Sequence, residues 1–162
     1  MTYLYTSTES PIGPLTLVSD GENLVGLYMQ IHRHAPEQGQ GWTRDDEAKP
    51  FAQARKELAD YFAGTLTSFS TPVRAAGTPF QERVWAALME IPYGETWSYG
   101  QLAAHIGNPD ASRAVGLANG RNPVSILIPC HRVIGANGKL TGYGGGLDRK
   151  ETLLALERGL LP

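Results

Sequence analysis

Only one cysteine, Cys130, occurs in the 162 residues. A lone thiol cannot close an internal disulfide, and it excludes a multi-cysteine zinc or iron–sulfur centre. The expected compartment is therefore the reducing cytoplasm. No apolar run reaches the roughly 18 residues that a membrane-spanning helix needs. Residues 1–6 lack the basic start and long apolar core of a secretory signal. Charge of one sign is not in excess either: 14 Lys and Arg face 16 Asp and Glu, a formal net charge of -2. That excludes a globally basic nucleic-acid binder but leaves room for a local basic face. Internal repeats and low-complexity tracts are missing, and the first half has no phosphate loop and no metal-ligand spacing.

What is present is a globular composition, 41% hydrophobic and 19% charged, with 19 Gly and 11 Pro to make turns. The length suits one ordinary domain or two small ones. The first thirty residues read as strands. Leu15 and Leu17, then Leu24, Val25 and Leu27, flank the turn dipeptide Asp20-Gly21, and Ser10-Pro11-Ile12-Gly13-Pro14 marks an earlier turn. Residues 31–50 read as a surface loop with Trp42 as its apolar anchor. Phe51, Leu58, Tyr61 and Phe62 share one face of a helix over residues 51–62, stopped near Gly64. A short strand is expected around Phe69. Together these elements predict an antiparallel-type sheet with one helix over residues 1–76.

The pattern changes near Gly77. Thr78-Pro79-Phe80-Gln81 supplies an N-cap, a first-turn proline and a capping-box glutamine for a helix ending before Pro92. Ser98-Tyr99-Gly100-Gln101 repeats the capping box and opens a second helix. Asp110 is expected to cap a third, over residues 111–121. Two helices joined by a short Gly-containing turn form a helix-turn-helix pattern. Charge is uneven here too. Residues 98–147 hold Arg113, Arg121, Arg132 and Lys139 but only one acid, Asp110. Such a surface suits a phosphate backbone, although a helix-turn-helix pattern also occurs without nucleic acid.

Cys130 follows the apolar run Ile126-Leu127-Ile128-Pro129 and precedes His131-Arg132. A free thiol is only a few per cent ionised at neutral pH, and a neighbouring cation or base raises that fraction. His131 and Arg132 are candidates, while an inert core cysteine fits the same residues. In an extended segment, adjacent side chains point to opposite faces. Direct contact between Cys130 and His131 is therefore not assumed, and a water or another residue could bridge them. A basic His131 needs an orienting acceptor, and Glu157 on the last helix is the best carboxylate in this half. On sequence alone, a solvated helix-face charge is the favoured reading of Glu157.

The stretch Asn122-Pro123-Val124-Ser125-Ile126-Leu127-Ile128-Pro129-Cys130-His131-Arg132-Val133-Ile134 resembles the active-site signature of the O6-alkylguanine-DNA alkyltransferases. Pro92-Tyr93-Gly94-Glu95-Thr96, Ser98-Tyr99, Arg113-Ala114-Val115-Gly116, Gly142-Tyr143 and Gly145-Gly146-Leu147 match in order and spacing. So do Ser10-Pro11-Ile12-Gly13 and Phe80-Gln81. The resemblance is close over the last eighty residues or so and looser before them.

The resemblance implies an α+β protein. A ribonuclease-H-like sheet with a helix would fill residues 1–76. A helical, winged helix-turn-helix domain carrying the site would fill residues 77–162. It implies irreversible transfer of an alkyl group from guanine O6, in flipped-out DNA, to Cys130, once per molecule. His131 would take the thiol proton through a water, Glu157 would hold His131, and Asn122 would brace the cysteine loop. Arg113 would fill the vacated base stack. The third helix, thin at Ala114 and Gly116 and flanked by Arg121, would lie in the minor groove. Tyr99 would crowd the target phosphate and hydrogen-bond the flipped base. Tyr143 would form a pocket wall. Backbone at Cys130, Val133, Gly144 and Gly145 would meet the base, and Lys150 would assist protonation of the leaving group.

The implied partner is double-stranded DNA carrying O6-alkylguanine, bound by a monomer with no cofactor and no membrane. O4-alkylthymine as a second substrate and cooperative binding along DNA stay open. Some relatives hold a structural zinc through cysteines and histidines of the N-terminal domain. No cysteine occurs there in this chain, so no metal is expected, and His32 and His34 read as loop-surface residues. Two alternatives stand beside this reading: a lesion-binding protein with a shielded cysteine, and a cysteine hydrolase using Cys130 and His131.

Overall fold

The computed structural model describes residues 2–29, 41–139, 143 and 146–160. Strands β1 (Tyr3–Thr8), β2 (Leu15–Ser19) and β3 (Leu24–Met29) form an antiparallel meander. Its first turn is closed by Ser10, whose carbonyl accepts from Gly13 N at 3.0 Å and whose hydroxyl donates to Gly13 O at 2.6 Å. The second is an Asx turn: Asp20 Oδ1 accepts from Asn23 N at 2.7 Å and Glu22 N at 3.0 Å.

Two expectations for this half are corrected. A fourth strand, β4 (Trp42–Arg44), lies inside the segment read as loop. It pairs parallel with β1, so the sheet order is β3-β2-β1-β4 and the sheet is mixed. Its three residues sit at an edge with Thr43 and Arg44 exposed, so no apolar alternation announces it. Phe69, conversely, is in no strand. The nearby backbone N–H groups of Ser70 and Thr71 donate to the Glu57 carboxylate instead of to a sheet. Only Val73 makes an isolated bridge, to Leu24.

Helix α1 (Phe51–Phe62) begins and ends where its periodicity predicts and buries Phe51, Ala54, Leu58 and Tyr61. Helices α2 (Pro79–Leu88) and α3 (Tyr99–His105) each carry a complete capping box, from Thr78 with Gln81 and from Ser98 with Gln101. Replacing Ser98 by alanine should lower the unfolding free energy by about 1 kcal/mol. A denaturant titration reads this, and an unchanged midpoint would mean that packing alone sets the start of α3.

Helix α4 (Ser112–Gly120) is not capped by Asp110 as expected. Residues 108–111 form a turn, with Ala111 N donating to Asn108 O at 3.0 Å, and this leaves Asp110 exposed one position too early. Trp85 Nε1 on α2 donates to Ala118 O at 2.8 Å and fixes α4 against the core.

A 3-10 turn, Cys130–Arg132, leads into β6 (Val133–Ile134), which pairs parallel with β5 (Trp97–Ser98). This short ladder ties the start of the helix-turn-helix to the cysteine segment. Helix α5 (Leu147–Glu157) closes the described chain. One continuous core joins the halves: Leu15, Leu17, Leu27 and Tyr61 cluster with Val84, Leu88, Val133 and Leu153. Among the described residues no helix is long and apolar enough to cross a membrane.

Candidate active site

The loop before Cys130 is built by Asn122. Its Nδ2 donates to Ile128 O at 2.8 Å and its Oδ1 accepts from Val124 N at 3.0 Å, closing the segment on itself. Leu27 N donates to Pro123 O at 2.9 Å, which anchors the loop to β3. Ile126 lies at φ 74, a conformation that a β-branched residue adopts only under constraint. The apolar run therefore does not continue as a strand. It folds back, and Cys130 N donates to Ile128 O at 2.8 Å.

The segment at Cys130 is thus a 3-10 turn and not extended, which corrects the opposite-face expectation for Cys130 and His131. Cys130 and His131 are both buried. His131 Nε2 lies 2.6 Å from Glu157 Oε2. His131 Nδ1, also buried, has no hydrogen-bond partner among the described residues. Glu157 is no solvated helix-face charge: its side chain is 1% exposed. Arg132 Nε donates to Glu157 Oε1 at 2.8 Å and Arg132 Nη2 to Oε2 at 3.1 Å, while Nη1 donates to Ile91 O at 2.7 Å. Tyr61 Oη donates to Oε2 at 2.6 Å. Gly94, held at φ 82, brings its N–H to 3.4 Å from Oε1. A β-carbon there would stand 3.2 Å from the backbone carbonyl oxygen of Glu157, so the Pro92-Tyr93-Gly94 motif is a close approach of two backbones beside this residue.

These contacts set the electrostatics. Burial alone would raise the Glu157 carboxyl, but hydrogen bonds and charge from His131, with hydrogen bonds from Arg132 and Tyr61, hold it well below the usual carboxylate range. Burial lowers His131 despite Glu157, so the imidazole is neutral and able to accept a proton. Burial also pushes the Cys130 thiol up, opposed by the Asn122 side chain and the Lys150 charge. The resting group is a thiol. Arg132, expected as a cation for Cys130, is spent on Glu157. Buried Lys150 takes that place, itself lowered to about 8 by burial.

Tyr143 is buried and raised well above its ordinary range by burial. Val133 is fully buried, and its N–H donates to Cys130 O. Gly144 and Gly145, like His32 and His34, lie outside the described residues.

Helix α4 buries Val115, Ala118 and Asn119 and exposes Arg113, Ala114 and Leu117, with Arg121 exposed just past its end. A β-carbon on Gly116 would stand 3.6 Å from the Tyr99 ring, so the two expected DNA-contact residues are neighbours. The basic face is smaller than the sequence implies. Arg113, Arg121 and Lys139 are exposed beside Asp110, but Arg132 is buried and paired. Two residues of the site carried no expectation. Asn119 Nδ2 donates to Cys130 O at 3.3 Å and links α4 to the cysteine. Tyr61 reaches the site from the other half of the chain. Its one sequence signal was a hydroxyl on an otherwise apolar helix face, since a buried tyrosine hydroxyl requires a partner. Among the described residues no cluster of three or more His, Cys, Asp or Glu could hold a metal.

The sequence model of the 6-O-methylguanine DNA methyltransferase DNA-binding domain matches residues 79–159, and that of the family's ribonuclease-like domain matches residues 3–75. The methylated-DNA–protein-cysteine methyltransferase of Mycolicibacterium paratuberculosis is 57% identical over 95% of this chain and 92% of its own. The Methanosarcina acetivorans protein of the same name is 54% identical over 94% and 97%. The crystal structure of Mycobacterium tuberculosis OGT in complex with DNA superposes with a TM-score of 0.92 at 53% identity, covering 98% of this chain and 95% of that one. The two family models between them span nearly the whole chain, and relatives more than half identical cover it almost end to end: the chain belongs to the 6-O-methylguanine DNA methyltransferases.

Proposed function

We infer that this protein repairs DNA by moving the alkyl group of O6-alkylguanine onto Cys130, irreversibly and once per molecule. The observation that carries this reading is the buried Cys130-His131-Glu157 arrangement, joined through Asn119 to a helix with an exposed basic face. The partner is double-stranded DNA carrying the lesion, engaged by one copy of the chain.

The target atom is inside the duplex, so the nucleotide must leave the stack, at a cost of a few kcal/mol. In this reading α4 occupies the minor groove, Arg113 fills the gap, and Tyr99 contacts the flipped base. The thiol proton passes through a water to His131 Nδ1, the nitrogen that does not face Glu157. Cys130 Sγ then attacks the alkyl carbon. An S–C bond forms, the C–O6 bond breaks, and its electron pair leaves with the guanine, which takes up a proton. Lys150 is near enough to Cys130 for the two charges to influence each other, and with its value near 8 it can supply that proton at neutral pH. Asn122 keeps the loop closed, so the nucleophile is presented in one geometry.

The test is mass spectrometry after incubation with a duplex containing one O6-methylguanine. A single methyl on the Cys130 peptide, capped at one per molecule, is expected. Burial of Cys130 favours one rival, a lesion-binding protein with a shielded thiol; lesion binding without methyl gain would select it. Arg113→Ala should slow repair in duplex DNA at least tenfold, a loss of ~1.4 kcal/mol or more, while reaction with free O6-methylguanine base stays near wild type. Equal losses on both substrates would remove Arg113 from base flipping.

A further inference from the structure

Glu157 Oε2 is shared. His131 Nε2 and Tyr61 Oη each approach it at 2.6 Å, and Arg132 Nη2 adds a third contact at 3.1 Å. Two of these donors come from the cysteine turn itself. The third comes from α1, 96 positions away in sequence from the carboxylate. Tyr61 is 1% exposed, and its ring packs between Phe62, Phe69 and Tyr93. The hydroxyl is therefore fixed in place, and burial beside Glu157 keeps it protonated, so it is always a donor.

We propose that Tyr61 is a positioning residue for alkyl transfer, its hydroxyl holding Glu157 Oε2 so that the carboxylate orients His131 without binding a proton tightly. The argument rests on the reading above that His131 receives the thiol proton. A carboxylate that accepts more hydrogen bonds is less basic, and it pulls less strongly on the proton of the imidazole beside it. Without Tyr61, Oε2 would lean more negative toward His131 and stabilise the imidazolium before any substrate reacts. A histidine already protonated cannot take the proton of Cys130. The groups facing this pair are Arg132 from the same turn, Tyr93 and Gly94 from the segment after α2, Lys150 from α5, Tyr143, and Tyr61 from α1. Among the described donors to Oε2, Tyr61 belongs neither to the cysteine turn nor to the charged pair, and phenylalanine removes its hydrogen bond while keeping its ring packing.

The experiment uses the full chain with Tyr61→Phe and reads two quantities. The first is the His131 titration midpoint by NMR of labelled histidine, assigned against His131→Gln. It needs no transfer activity, so it decides the proposal even if Cys130 proves unreactive. A rise of about half a unit to one unit is expected. The second is the single-turnover methyl-transfer rate against pH. Its acid limb should move up by the same amount, giving a three- to tenfold loss on the acid side and a near wild-type rate on the alkaline plateau. Placing 3-fluorotyrosine at position 61, a stronger donor of nearly the same shape, should move both readouts the opposite way, and it serves where the phenylalanine variant does not fold. An unmoved His131 midpoint, or a uniform rate loss at every pH, overturns the proposal and leaves Tyr61 a packing residue.

Discussion

Cys130→Ser should abolish methyl transfer and leave the lesion duplex bound. The thioether is formed by sulfur, and a serine hydroxyl in the same buried turn has neither the acidity nor the nucleophilicity to replace it. His131 could still accept a proton, but the attacking atom would be a poor one. Binding should survive because the exposed residues of α4, Arg113, Ala114 and Leu117, are distinct from the buried Val115, Ala118 and Asn119, of which Asn119 makes the bond to Cys130 O. Affinity for an O6-methylguanine duplex, read by fluorescence anisotropy, should stay within about threefold of wild type, under ~0.7 kcal/mol. Mass spectrometry should show no methyl gain on any peptide. Transfer that persists would place the nucleophile on a residue other than cysteine, since the chain has a single thiol. Loss of binding would mean that the thiol is needed to shape α4.

Glu157→Ala should cost both the reaction and the fold. The carboxylate accepts from His131, Arg132, Tyr61 and the Gly94 backbone, and it is almost fully buried. Removing it leaves the Arg132 guanidinium inside the protein without its counter-ion. Breaking a buried pair in this way costs about 3–5 kcal/mol, a large share of the ~5–15 kcal/mol that holds a typical domain together. The transfer rate should fall by roughly 10²–10⁴, the usual contribution of a positioned base, because His131 loses the partner that orients it.

The stability difference between wild type and the variant should depend on pH. The folded carboxyl is held below its unfolded value, so its contribution is fully present above the ordinary carboxylate range, near ~4.3. It declines as acid drives the pH down through the folded value. Denaturant curves at pH 7 and pH 3 therefore should show a smaller gap at pH 3. A gap of equal size at both would place the loss in packing alone.

Much of the local structure was legible in the chain. Helix α1 has its predicted bounds, and both capping boxes form, because those signals are short-range and each side chain meets a backbone group within one turn. The failures share a cause. Strand β4 exists because β1 offers it an edge, a partner nearly forty residues away. The Phe69 strand fails because Glu57, on α1, takes the backbone donors it would have used. Asp110 misses the helix start because a turn closed by Asn108 displaces α4 by one position.

The site divides along the same line. Local sequence reasoning offered Cys130, His131 and Glu157 as candidates with inert readings beside them, and the resemblance added Asn122 and named the chemistry. Proximity was another matter. Arg132 is as close to Cys130 in sequence as a helpful cation could be, yet it turns to Glu157 and Ile91. Lys150, twenty residues on, supplies the charge felt by the thiol. Tyr61 completes the carboxylate's shell from the opposite half of the chain. The residue types and their order carry the reaction because reactivity belongs to functional groups. Which groups share a proton, and which are spent holding one another, depends on burial and on contacts between distant segments, and those exist only once the single core has closed.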